Sequence, residues 1–138
     1  MLPRLRQPPT PRTATPIQTA FAKTWDAVFD VFSDRNISIR TIERTSGLIA
    51  TDRLTVQSGE GLQWADCGTH MSSATAPEMA VYNVLVRGDS TQSTVKVTAS
   101  WTATVEVLRG EFRRIQCVSK GVWENDLEAM IRARAEVR

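Results

Sequence analysis

Cys67 and His70 stand as Cys-x-x-His with Asp66 alongside, and Cys117 is the other cysteine. A thiolate nucleophile with a histidine base would use such a trio, and so would a zinc site. Structural zinc takes four ligands, yet the chain holds 2 cysteines and 1 histidine. Catalytic zinc takes three and would have to draw on Asp66 or a distant carboxylate. His70 also lies in a Gly/Ser/Thr-rich stretch, where a lone histidine is ordinarily solvated. Serine hydrolysis would need His70 as its base, and no Gly-x-Ser-x-Gly elbow is present. No Gly-x-Gly-x-x-Gly or Walker sequence occurs either. Ser58-Gly59-Glu60-Gly61 has the glycines of a phosphate cradle but no following lysine or helix. Asp66 with Glu78, and Glu124 with Asp126, could pair for acid–base work. Acids at loop tips and helix starts are normally solvated. The reading is therefore of a protein that is not an enzyme, with no catalytic residues, no cofactor and no metal ligands.

Cys67 and Cys117 each fall at the end of a strand-like run, which allows them to meet. A disulfide is the favoured reading; two buried free thiols are the alternative. On the chain-entropy account, closing a loop of about 50 residues contributes roughly 4 kcal/mol. Of the 4 tryptophans and 1 tyrosine, Trp25 and Trp101 belong to apolar faces and Trp123 opens a helix. Trp64, Tyr82 and His70 are the candidates for a ligand or partner surface. Arg113-Arg114 and the C-terminal Arg132, Arg134 and Arg138 form the densest basic cluster. They read as solvated helix-end and strand charge, not as a nucleic-acid patch with stacking aromatics.

The 138 residues are 41% hydrophobic and 23% charged with a net charge of +2, which suits a folded domain and excludes bulk disorder. No run approaches the roughly 18 apolar residues of a membrane-spanning helix. Residues 1–16 hold five of the 6 prolines together with Arg4, Arg6 and Arg12 and no acid. Setting these three arginines aside leaves 14 basic and 15 acidic residues, so the body is near neutral. Its basic pI is poor evidence for nucleic-acid binding. Residues 1–16 read as a disordered Pro/Arg/Thr-rich linker. Lacking an apolar core, they are not an intact secretory signal. Either the protein is cytoplasmic, or a signal peptide or lipid anchor has been removed ahead of Met1. The second reading is favoured and leaves a membrane link only through that anchor.

The elements that would position these groups are legible from periodicity. Ile17, Phe21, Trp25, Val28, Phe29 and Phe32 make one apolar stripe at helical spacing, with Asn36 as its C-terminal cap. Residues 37–45 and 48–57 flank Thr45-Ser46-Gly47 as a β-hairpin, Leu48, Ala50, Leu54 and Val56 lying on one face. Leu62 to Cys67 reads as a short strand and residues 68–79 as a loop. Ala80 to Arg87 and Thr94 to Leu108 are strands. In the latter Val95, Val97, Ala99, Trp101, Ala103, Val105 and Val107 alternate with polar residues, so one sheet face is buried and the other wet. Phe112 to Val118 is the last strand. A helix from about Val122 presents Trp123, Leu127, Met130, Ile131 and Arg134 on one face, with acids early and arginines late.

The order helix, six strands, helix makes residues 17–138 a single α+β domain. The expected architecture is helix-grip-like: an antiparallel sheet with both helices on one face. Two segments carry a resemblance. Trp25, Asn36-Ile37-Ser38-Ile39 and Glu43-Arg44-Thr45-Ser46-Gly47-Leu48-Ile49 resemble the helix, strand and Gly-turned hairpin that open BamC/NlpB-like bacterial envelope lipoprotein domains. Cys117-Val118-Ser119-Lys120-Gly121-Val122-Trp123-Glu124 is similar to the lead into the closing helix of small bacterial lipoproteins. The likeness covers residues 17–135 in element order, without a lipobox cysteine. It implies a helix-grip fold, periplasmic or outer-membrane-anchored exposure, and other envelope proteins as partners. The implied function is a non-catalytic interaction module, an accessory of outer-membrane assembly. The alternative is a carrier or sensor of a hydrophobic small molecule in a helix-grip cavity, unless the helix's own Phe residues fill it.

Overall fold

The computed structural model describes residues 15–57, 59–70 and 72–137. The proposed linker before residue 15, Ser58 of the Gly-rich turn, and Arg138 of the basic cluster lie outside them. The order is α1 (Phe21–Asp34), β1 (Ile39–Glu43), β2 (Leu48–Thr51), β3 (Leu54–Thr55), a 3-10 turn (Glu60–Gln63), β4 (Ala65–Asp66), β5 (Thr69–His70), β6 (Ser73–Ala74), β7 (Met79–Gly88), β8 (Ser93–Leu108), β9 (Glu111–Ser119) and α2 (Val122–Ala135). The class is α+β. A 7-stranded sheet runs β1-β2-β7-β8-β9-β4, with β3 paired to β7, and β5 with β6 forms a separate ribbon.

The chain forms two compact units. The described residues of the first lie in 53–81 and 99–123; those of the second in 15–52, 82–98 and 124–137.

In the second unit α1 buries Thr24, Trp25, Ala27, Val28, Val31 and Phe32. Its end is made by Asn36 at φ 56°. The amides of Asn36 and Ile37 donate to the carbonyls of Ser33 (3.3 Å) and Phe32 (2.9 Å). This is a Schellman ending with Asn in glycine's usual place. Ile17 precedes the helix: it bridges Ser93 in both directions, at 2.7 and 3.0 Å. Its side chain joins the stripe from an extended residue, which is why helical spacing absorbed it. The start of α1 is held by the β7–β8 turn, where the Phe21 amide donates to the Asp89 carbonyl at 2.9 Å. The Thr24 and Ser93 hydroxyls meet at 2.6 Å, and Ser93 Oγ donates to the Thr19 carbonyl at 2.8 Å. Helix α1 is thereby tied to the strand that carries buried Val95 and Val97.

Helix α2 buries Glu124, Leu127, Ile131 and Ala135, a stripe rotated from the expected one. Met130 is half-buried and Arg134 exposed. Arg134 lies 3.6 Å from Asp30 and 3.3 Å from Asp34, which joins the two helices. The Glu128 carboxylate accepts from the Val97 amide at 2.8 Å, satisfying a donor on the edge of β8.

The β1–β2 hairpin forms as expected around Gly47, with a bulge between Ile39 and Thr41. Gly47 has φ +76°, and a Cβ there would run into the Val86 carbonyl. Only glycine combines this backbone with so close an approach. Where β2 ends, the Thr51 hydroxyl takes over the ladder. It donates to the Tyr82 carbonyl at 3.1 Å and accepts from the Tyr82 amide at 3.0 Å.

In the first unit the expected strand over 62–67 is divided: Leu62 and Gln63 end a 3-10 turn, and only Ala65–Asp66 is a strand. Gly59 at φ 79° opens the turn. Gly61 is buried against Pro77, where a Cβ would collide with the ring. Residues 68–79, read as a loop, contain the β5–β6 ribbon, turned by Ser72 at φ 67°. Strands β8 and β9 pair without interruption from Trp101↔Cys117 to Glu106↔Phe112, and the register then slips before Leu108. That slip re-aims Val107, expected on the buried face but 40% exposed.

Candidate functional site

Antiparallel pairing of β4 with β9 sets Ala65 opposite Ser119 and Asp66 opposite Val118. The next pair in that register is Cys67 and Cys117. They form a disulfide with Cα atoms 4.3 Å apart, and both residues are buried. Cys67 Sγ is thus committed to Cys117 and is neither a thiolate nor a ligand. His70 Nδ1 lies 2.8 Å from the Thr75 hydroxyl across the β5–β6 ribbon. Asp66 Oδ1 accepts from the Gly68 amide at 2.9 Å. Each member of the Cys-x-x-His trio thus has a partner: a disulfide, a hydroxyl and a backbone amide. Among the described residues no three His, Cys, Asp or Glu side chains converge on a common point.

Three tryptophans gather next to the disulfide. Trp101 on β8 pairs with Cys117, and its ring lies 5.8 Å from that of Trp64 and 6.2 Å from that of Trp123. Trp101 is fully buried, while Trp64 and Trp123 are half-buried. Trp64, proposed as a surface residue, therefore offers one side to solvent and packs the other. His70 is half-buried in the same unit. Tyr82 departs from the expectation: it is 0% exposed and belongs to the core of the second unit. The alternation of β7 turns it inward with Val84 and Val86. A phenol has enough apolar area to be buried as readily as a valine. Burial pushes its pKa far above the ordinary tyrosine value, with the charge of Arg35 opposing.

Two of the exposed apolar residues that sequence reasoning missed lie at the β8–β9 turn. Leu108 is 67% and Phe112 64% exposed. Arg109 and Gly110 form the turn between them, and Arg113 and Arg114 follow on β9, all exposed. Strand β7 begins at Met79, and the Glu78 amide donates to the Thr102 carbonyl at 2.8 Å. Among the described residues, β8 beyond Thr102 therefore pairs with β9 alone. Among the described residues the far side of β9 pairs with β4 at Val118 and Ser119, and no described strand pairs with the outer edge over Glu111–Gln116. A visible signal was the Leu-Arg-Gly-Glu-Phe string, in which two large apolar residues flank a tight turn.

Arg113 and Arg114 belong to β9, whereas Arg132 and Arg134 belong to α2 and Arg134 is paired with α1. In the second unit, Val31, Met130, Ala133 and Val137 line a groove of about 450 Å³ between the helices, with Asp34, Arg35 and Arg134 around it. The sheet-facing side of α1 is filled by its own Trp25 (4% exposed) and Phe32 (1%).

No protein-family model and no curated protein matches the chain. Among the described residues no helix is long and apolar enough to cross a membrane.

Proposed function

We propose that this protein is a non-catalytic interaction module of the bacterial cell envelope that engages other envelope proteins by strand addition. The observation that carries this is the open outer edge of β9. An exposed row of backbone donors and acceptors is a template for another chain. The Cys67–Cys117 disulfide supports an oxidising compartment such as the periplasm. The likeness to BamC/NlpB-like domains in the opening hairpin points the same way, toward an accessory of outer-membrane assembly. The test places a photo-cross-linking residue at Arg114, on the open edge, and at Lys96, an exposed position of β8. The variants are irradiated in intact envelopes. One discrete adduct from position 114 and none from 96 is expected. Equal labelling from both, or none from either, removes the reading.

The groove between α1 and α2 favours one other reading, a carrier of a hydrophobic small molecule. Its apolar lining with Arg35 beside it suits the tail and acidic head of an amphiphile. Native mass spectrometry of protein titrated with palmitate checks it. A one-to-one complex that Ala133→Trp abolishes is expected if the groove is the site. The site lies elsewhere if Ala133→Trp binds normally.

A further inference from the structure

Resting on strand addition as the mode of binding, we infer that the β9 edge selects an extended segment with two adjacent acidic residues between apolar ones. The argument begins with which edge is usable. Strand β1 is also an end strand, but its register breaks between Ile39 and Thr41, and a bulge twists an edge away from regular pairing. Its charges, Arg40 and Glu43, oppose one another in sign. Strand β9 keeps six consecutive regular pairs with β8, from Cys117 to Phe112, so its outer side is straight over the length a short peptide needs.

Directly opposite residues of an antiparallel pair share a face. Phe112, Arg114 and Gln116 therefore stand on the face of Glu106, Thr104 and Thr102, while Arg113 and Ile115 stand on that of Val105 and Ala103. Gln116 confirms this assignment by donating to the Ser100 hydroxyl of that first face at 2.7 Å. Each face of the edge thus presents one arginine and one apolar residue, in the order Phe112, Arg113, Arg114, Ile115. A strand laid alongside meets that order with apolar, acidic, acidic, apolar. The pattern reads the same in both directions, so it suits a parallel or an antiparallel partner.

Among the described residues no ion pair joins the nearby acids to these arginines. The Glu106 carboxylate accepts from the Gly110 amide at 3.2 Å, and Glu111 lies outside the four-residue register. A second copy of this chain is a poor occupant. Antiparallel pairing of the 111–116 edge with itself about its centre sets Arg113 of each copy against Arg114 of the other, and like charges directly opposite are destabilising.

The experiment uses fluorescence anisotropy with blocked nine-residue peptides, one centred on Val-Glu-Glu-Val and one on Val-Lys-Lys-Val, with threonine elsewhere. The acidic peptide is expected to bind at least about tenfold more tightly than the basic one, as two cross-strand charge pairs imply. The double substitution R113E/R114E is expected to reverse that preference while circular dichroism and the melting temperature stay unchanged. A copy of the acidic peptide with methylated backbone amides is expected not to bind. Equal affinity for both peptides overturns the charge selection and leaves strand addition standing. Failure of the acidic peptide while position 114 still cross-links in envelopes also overturns the inference alone. Failure in both experiments removes the functional reading with it. Binding to phosphatidylglycerol vesicles that Leu108→Ser and Phe112→Ser abolish, with no peptide binding, assigns the surface to a membrane and overturns the inference.

Discussion

The two units solve the same problem, covering one face of a sheet, by different means. The second uses two amphipathic helices. Trp25, Val28 and Phe32 from one, Leu127 and Ile131 from the other, join Ile49, Val84, Val86, Val95 and Val97 as its buried residues. The first has a 3-10 turn and strands of two residues in place of long helices. Its buried residues are mostly small, Ala65, Ala80 and Ala103 among them, with Trp101 as the large member and the disulfide beside it. A region with little apolar burial relies on a covalent staple where a helix-covered one does not. The stapled unit is also the one that carries the open edge and the exposed turn. Its cross-link lies toward the Cys117 end of β9, away from the exposed β8–β9 turn.

Removing the staple gives the largest expected effect. The double substitution Cys67→Ser with Cys117→Ser should cost about 4 kcal/mol, the loop-closure contribution of roughly 50 residues. Residue-resolved hydrogen exchange should show amides of 99–119 losing protection before those of α1. Simultaneous loss in both units would break the comparison. Next is Gly47→Ala in the helix-covered unit, where a left-handed backbone and the Val86 carbonyl oppose any Cβ. Urea unfolding should report a loss of about 2 kcal/mol or more. A neutral result would mean that the hairpin adjusts freely.

Tyr82 sharpens the comparison by pH. It is the chain's 1 tyrosine, so tyrosinate absorbance reports this residue alone. Burial raises its folded pKa above the unfolded value near 10. The folded state therefore holds its proton more tightly, and stability is full below about pH 10 and falls above it. Absorbance at about 295 nm should rise only as the second unit unfolds in alkali; a rise in the folded protein contradicts the buried phenol. The smallest effect belongs to Asp89. Hydrogen bonds from the Thr91 amide, the Gln92 amide and the Thr91 hydroxyl lower its pKa. Its contribution is present above the unfolded carboxylate pKa and is lost as pH falls through the lowered folded value. Asp89→Ala should flatten the acid limb of stability against pH, leaving the neutral region nearly unchanged. An unaltered acid limb would show that the turn does not draw on this carboxylate.

Most of the architecture was legible where one physical cause dominates. The alternation from Val95 to Val105 reads as a half-buried strand because a residue's side is set by parity alone. The ending of α1 was visible in Asn36, which tolerates the left-handed backbone the cap needs. Two cysteines at strand ends favoured a bridge, and the β4–β9 register supplies it. What stayed hidden depends on pairing. Ile17 matches helical spacing but is held by Ser93. Residues 60–63 coil because Gly61 must fit beneath Pro77, a contact between segments far apart in sequence. The site was less legible than the fold. Tyr82 and Phe112 are both aromatic residues in strands; one is buried and the other exposed because β7 is flanked by strands and the outer end of β9 is not.

The central claim is that the outer edge of β9 is an open receptor for another strand. Amide hydrogen exchange over 111–116, in the free protein and in the presence of saturating acidic peptide, tests it most directly. Outward-facing amides of this segment should exchange fast in the free protein and become protected with peptide, while β1 is unchanged. Slow exchange throughout β9 in the free protein, or no gain of protection on adding peptide, would contradict it.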